Sequence, residues 1–137
     1  MITIPSAIES QEKEFDAIRR ELLQHQFSLG GNWSYERGSF DRNLDGENKV
    51  WLRLPFEVIR GNIDSESTDN NCTIKFETPY VLKHLYQEGV DSEAASGVMS
   101  ALVNQFQSPS DPDAKVEGHW ADQAKRVLSE VEDSMGL

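Results

Sequence analysis

The hydrophobic period changes along the chain, and each change predicts an element. Residues 1–4, MITI, are apolar enough for a short strand before Pro5. Over SQEKEFDAIRRELLQH, residues 10–25, the apolar residues Phe15, Ile18, Leu22 and Leu23 recur at helical spacing and form one stripe. Ser10 stands where an N-cap would, with Glu12 and Glu14 near the positive end and His25 near the negative end. In FSLGGNWSYERGSF, residues 27–40, the period falls to two. Phe27, Leu29, Gly31, Trp33 and Tyr35 then share one strand face, and Ser28, Gly30, Asn32, Ser34 and Glu36 share the other. Gly31 on the apolar face predicts a bulge, a bend or a closely packed backbone. Glu36-Arg37-Gly38 predicts a short turn, with Gly38 able to take positive φ.

A strand follows over roughly 39–44, then the loop Asp45-Gly46-Glu47-Asn48. A two-residue Asp-Gly turn would set Arg42 against Lys49, which repel. A four-residue loop would set Arg42 against Trp51 as a cation–π contact, and is favoured. In KVWLRLPF, residues 49–56, Val50, Leu52, Leu54 and Phe56 alternate with Trp51 and Arg53, and Pro55 suggests a strand end, an edge or a bulge. The strand continues through Val58 and Ile59 to a polar loop, DSESTDNN, at 64–71. Cys72, Ile74 and Phe76 alternate as the next strand. Residues 78–89 read either as a helix capped at Thr78-Pro79 or as a strand with Leu82, His84 and Tyr86 on one face, with the strand preferred. Two helices complete the chain. One runs from Asp91 to about Gln107, the other from about Glu117 to Asp133 with Trp120, Ala124, Val127, Leu128 and Val131 as its stripe.

These elements predict an α+β domain over residues 1–137: a twisted, mainly antiparallel sheet of about four to six strands with helices packed on it. The order is β-α-β(four or more)-α-α. A chain of 137 residues can bury one core without a metal or disulfide staple. The net charge of −11, from 24 acids and 13 bases, opposes polyanions, so nucleic acid and anionic membrane are not expected partners. Residues 1–60 hold eight of the bases against ten acids, so a local basic face belongs there if anywhere. The lone Cys72 allows no internal disulfide, MITIPSAIES has no basic region or apolar run of a signal peptide, and no stretch approaches the roughly 18 apolar residues of a membrane span. A cytoplasmic protein is expected.

Four motifs read together carry a resemblance: GGNWSYERGSFD at 30–41, LRLPF at 52–56, TPYVLKHLYQ at 78–87 and VNQFQSPSDPDAKV at 103–116. In order and spacing the chain resembles the YugN-like family, small proteins of Bacillus-type bacteria. The resemblance implies a cytoplasmic α+β domain, by analogy of element order TBP-like or helix-grip, and it carries no catalytic residue, cofactor or partner with it.

The chemistry-bearing residues are few. The GGNW stretch lacks G-x-G-x-x-G and Gly-Lys-Ser/Thr and precedes a strand, so it is no phosphate loop. Cys72, in phase with Ile74 and Phe76, reads as a core thiol. Asp64, Glu66, Thr68 and Asp69 echo a calcium loop but put Asp69 where Gly and Lys75 where Glu would stand; DPDAK at 111–115 fails in the same way. No Cys/His spacing suits zinc, no catalytic set stands out among His25, His84 and His119, and no metal or cofactor is expected. If the sheet is curved, Trp33, Arg53 and His84 are the candidate lining of a pocket on its face, with Trp51, Tyr35 and Tyr86 as further aromatics. The expected function is a non-enzymatic cytoplasmic binding or interaction protein, self-association and an unknown protein partner included. The alternative is a small-molecule binder or enzyme with a pocket on the sheet face.

Overall fold

The computed structural model describes residues 1–63, 71–84 and 115–137. In chain order these form β1 (Ile2–Thr3), β2 (Glu12–Glu14), α1 (Phe15–Leu23), β3 (Ser28–Leu29), β4 (Arg37–Asn43), β5 (Val50–Arg60), β6 (Thr73–Phe76), β7 (Tyr80–Lys83) and α2 (Gly118–Ser134). The architecture is α+β: among the described residues an open antiparallel sheet of seven strands carries two helices, with β1-β7-β5-β4-β3 side by side and β6 pairing both with β5 and, on its other edge, with β2. The predicted 91–107 helix and the Tyr86 end of the 78–89 segment lie outside the described residues; Tyr80–Lys83 is strand.

The eleven-residue β5 organises the sheet. Along one side it pairs with β4, and along the other it changes partner: Val50–Arg53 pair with β7, Phe56–Arg60 with β6. Pro55 sits at the handover. Its carbonyl accepts from Glu77 N–H at 2.8 Å, and its missing N–H would face the same gap, where no ladder bond is required of it. This is how a proline stands in the middle of a central strand.

Strand alternation divides the residues between two faces. Phe40, Leu52, Leu54, Phe56, Ile74, Phe76 and Val81 are buried on one face. Against them pack Phe15, Ile18 and Leu22 of α1 and Ala124, Val127, Leu128 and Val131 of α2. The Phe15 ring lies 5.8 Å from Phe40 and 5.9 Å from Phe56. Cys72 is buried in the same core. Leu23, placed in the stripe by spacing, is 65% exposed, because five residues beyond Ile18 turn it well off the buried face.

Four local expectations are corrected. The first helix begins at Phe15 rather than after Ser10: Glu12–Glu14 pair with Lys75, Ile74 and Thr73, and Ser10 takes φ 69° at the bend into that strand. The strand over 27–35 is only Ser28–Leu29, and after Gly30 the backbone leaves the ladder. The turn that follows is built on Ser34, whose Oγ accepts from Glu36 and Arg37 N–H. Gly38 lies inside β4 at negative φ, opposite Phe56, whose ring would stand 2.7 Å from an added Cβ. Arg42 faces Leu52, not Trp51, and its Nη1 donates to His25 O at 3.0 Å. The loop after β4 is one residue longer than the favoured four-residue alternative, because Asp45 gathers the Lys49 and Glu47 N–H groups and Gly46 and Asn48 take left-handed φ.

Candidate functional site

That last correction decides what the second sheet face contains. A slip of one residue in an antiparallel pair moves every side chain to the other face. The observed register sets Asn43 opposite Trp51, Asp41 opposite Arg53 and Ser39 opposite Pro55. On the far side of β5, Arg53 faces Tyr80 and Trp51 faces Leu82. A polar band therefore crosses β4, β5 and β7 on the face away from the helices.

At its centre is a two-pronged ion pair. Arg53 Nε reaches Asp41 Oδ1 at 3.0 Å and Nη2 reaches Oδ2 at 3.1 Å, with side chains only 20% and 11% exposed. Ser39 Oγ donates to the same Oδ1 at 2.9 Å. Burial alone would depress the Arg53 pKa, but its hydrogen bonds to Asp41 and Tyr80 and the Asp41 charge outweigh burial and raise it. The guanidinium is therefore held charged and in one orientation.

Gly30 completes this arrangement. Its N–H donates to Ser39 O, and a Cβ there would lie 2.8 Å from Asp41 Oδ2 and 2.9 Å from Ser39 Oγ. The first glycine of GGNW is thus the one in close approach, and Gly31 has nothing within 4 Å of its own added Cβ. The stretch serves the sheet face as packing space for a carboxylate.

Beside the ion pair lies an open cleft of about 410 Å³. It is lined by Asn32, Arg37, Gly38, Ser39, Arg53, Pro55, Phe56, Glu77, Thr78 and Tyr80. Arg37 reaches from β4 over β5 to the β6–β7 connection, where Nη1 meets Glu77 Oε1 at 3.2 Å; its Nη2 lies 4.0 Å from Glu57. Thr78 Oγ1 donates to Glu9 Oε1.

Of the three residues singled out from sequence, Arg53 lines this cleft. His84 shares its sheet face but stands beyond the lining, its ring edge-on to Trp51 at 6.3 Å. Burial, and then the nearby Arg53 charge, lower the His84 pKa against a smaller opposing pull from Asp41. Trp33 packs against the hydrophobic core and is not among the described lining residues. Asp41, Ser39, Arg37, Tyr80 and Glu77 were not singled out. The legible signal was the parity of β4, where Arg37, Ser39 and Asp41 alternate with Gly38 and Phe40. A second cleft, of about 450 Å³, lies at the start of α2 among Asp45, Lys49, Lys83, Glu117, His119 and Trp120, crossed by a 2.9 Å Lys83–Glu117 bridge.

Fold and cleft together define a class: a small α+β protein whose antiparallel sheet carries helices on one face and a polar cleft on the other. Within that class the chain belongs to the YugN-like family, whose profile matches residues 3–135. It is similar to the YugN protein of Bacillus subtilis (strain 168), 29% identical over 134 residues and 97% of each chain. It is similar in fold to the crystal structure of YugN from Geobacillus kaustophilus HTA426, with a TM-score of 0.68 at 21% identity over 99% of this chain and 96% of that one. Among the described residues no helix is long and apolar enough to cross a membrane.

Proposed function

We propose that the protein is a non-enzymatic cytoplasmic binding protein and that the cleft on the open sheet face takes its ligand, a small polar molecule. The observation that carries this reading is the set of donors and acceptors lining the cleft, with Arg53 and Ser39 among them fixed by Asp41. The volume of about 410 Å³ lies within the usual range for small-molecule sites, roughly 300–1,000 Å³. Asn32, Arg37, Ser39, Arg53, Glu77 and Tyr80 come from separate segments and meet there. A ligand would find Arg53 already oriented, which lowers the ordering cost of binding. The Ser39 hydroxyl gives its proton to Asp41, and Asp41 is committed to Arg53, so that hydroxyl is set up to support the pair rather than to attack a substrate.

The test is a thermal-shift screen of the purified protein against small polar metabolites. A ligand at 100 times its Kd stabilises the fold by roughly 2.7 kcal/mol, a rise on the order of several degrees for a domain this size. A hit that disappears in Asn32→Ala, a change at an exposed cleft residue, supports the reading. A screen without hits, or hits indifferent to that change, counts against it.

A further inference from the structure

Resting on the binding reading above, we propose that the cleft selects a zwitterion of the free amino-acid type, which inserts into the Arg37–Glu77 ion pair. That pair joins β4 to the β6–β7 connection over Pro55, and both partners line the cleft. It is the exchangeable pair of the two. Arg37 and Glu77 are 69% and 40% exposed and joined through one 3.2 Å contact. Asp41 and Arg53 are largely buried and joined through two. Exposed pairs of the first kind contribute little to stability, so opening one costs little.

The charge balance fixes the ligand class. Each guanidinium in the cleft already faces a carboxylate, so a simple anion would leave Glu77 displaced and unpaired in a protein of net charge −11. A simple cation would take Glu77 and leave Arg37 with only its longer, 4.0 Å contact to Glu57. A molecule carrying both an ammonium and a carboxylate replaces one exposed pair with two: its carboxylate takes Arg37 and its ammonium takes Glu77. With roughly 2.8 Å at each charge-assisted contact and about 3 Å between the ligand's own charged groups, the two side chains must separate to about 8–9 Å, within reach of two long side chains. The Asn32 amide and the Tyr80 hydroxyl lie in the same lining to hold the remainder of the ligand.

The experiment is calorimetric titration of the full chain with glycine, alanine, serine and glutamine. Each is paired with its N-acetyl derivative, which lacks the ammonium, and its carboxamide, which lacks the carboxylate. The expected result is binding of at least one zwitterion and loss of about tenfold or more in affinity for both derivatives. Arg37→Glu and Glu77→Arg should each cost about tenfold, while the double exchange, which restores one charge of each sign, should recover affinity to within about threefold. Circular dichroism and melting temperature check that these surface variants are folded. Equal affinity for a zwitterion and its N-acetyl derivative overturns the proposal, as does a folded double exchange no better than the singles. If other metabolites bind in an Asn32-dependent way while no zwitterion does, this inference falls and the binding reading stands. If nothing in the broad screen binds, both fall.

Discussion

The Asp41–Arg53 pair should show strong non-additivity on mutation. Asp41→Ala leaves a guanidinium that is only 20% exposed facing Tyr80 without its counter-charge. Removing one partner of a fully buried pair costs about 3–5 kcal/mol; with residual solvent access, about 3 kcal/mol is expected here. Arg53→Met strands the carboxylate instead, though Ser39 Oγ still donates to it, so about 2 kcal/mol is expected. The double variant strands no charge and places a methionine stem beside Tyr80 and Pro55. It should lose less than the sum of the singles by about 1–3 kcal/mol. At about 2.1 cal/mol/K per residue, the 137-residue chain unfolds with an entropy near 0.29 kcal/mol/K, so the Asp41→Ala loss corresponds to a fall of about 10 °C in Tm. Urea titrations of the four proteins, with slopes compared to confirm an unchanged unfolding transition, give the cycle directly. If the singles lie within about 0.5 kcal/mol of the parent, or the double equals their sum, the pair behaves as a solvated surface contact and its role as an organiser of the cleft is refuted.

Other consequences are testable in the same assays. Gly30→Ala should destabilise by about 1–3 kcal/mol, because its Cβ would press on a carboxylate that cannot move without leaving Arg53; combined with Asp41→Ala most of that cost should vanish. Asp45→Ala removes the acceptor for the Glu47 and Lys49 N–H groups and should cost about 1.5–3 kcal/mol, read from the urea midpoint. His84 has a folded pKa below its ordinary 6.5, so the unfolded chain binds the proton more tightly. Its contribution is complete above 6.5 and is lost as pH falls from there through the folded value. His84→Gln should flatten that part of the stability–pH curve, and an unchanged slope would show the proton is taken up elsewhere.

What could be read from the sequence follows the range of the forces involved. Val50, Leu52, Leu54 and Phe56 alternate because one face of β5 is buried, and the stripes of both helices are local periodicities of the same kind. Residues 78–89 read as either helix or strand, and the preferred strand is what Tyr80–Lys83 form, paired with β5 on one side and β1 on the other. The failures are non-local. Trp33 continues the period-two pattern of Phe27 and Leu29, yet the ladder there holds only the two pairs Ser28–Asp41 and Leu29–Phe40 and the chain turns away after Gly30. Glu12–Glu14 carry helix-favouring residues, and pairing with β6 overrides that preference. The polar band was hidden because it depends on the parity of the β4–β5 register. That parity is set by a loop whose length depends on where the Asp45 carboxylate finds donors. Arg53 could be suspected from its phase, but its partner could not be named until the loop was counted.

The closures of this fold also imply an order in time. β4 and β5 meet across a short loop, with Asn43 opposite Trp51, and can associate soon after both exist. β1 must wait for β7, since Ile2 pairs with Val81, and the Ser6 and Ala7 contacts to Glu132 span 126 and 125 residues. Loop closure over such distances is slow, so the β4–β5 hairpin is the place for a folding nucleus, and the N-terminal strand is the last to dock. In refolding, amides of β5 should gain protection from hydrogen exchange well before Ile4, whose N–H bonds Pro79 O. In the native protein, release of residues 1–8 would expose the fully buried Ile4 and Ile8, so this segment is docked as core and does not fray like a loose end. The segment that arrives last thus seals the core, and it carries the tie between the start of the chain and its final helix.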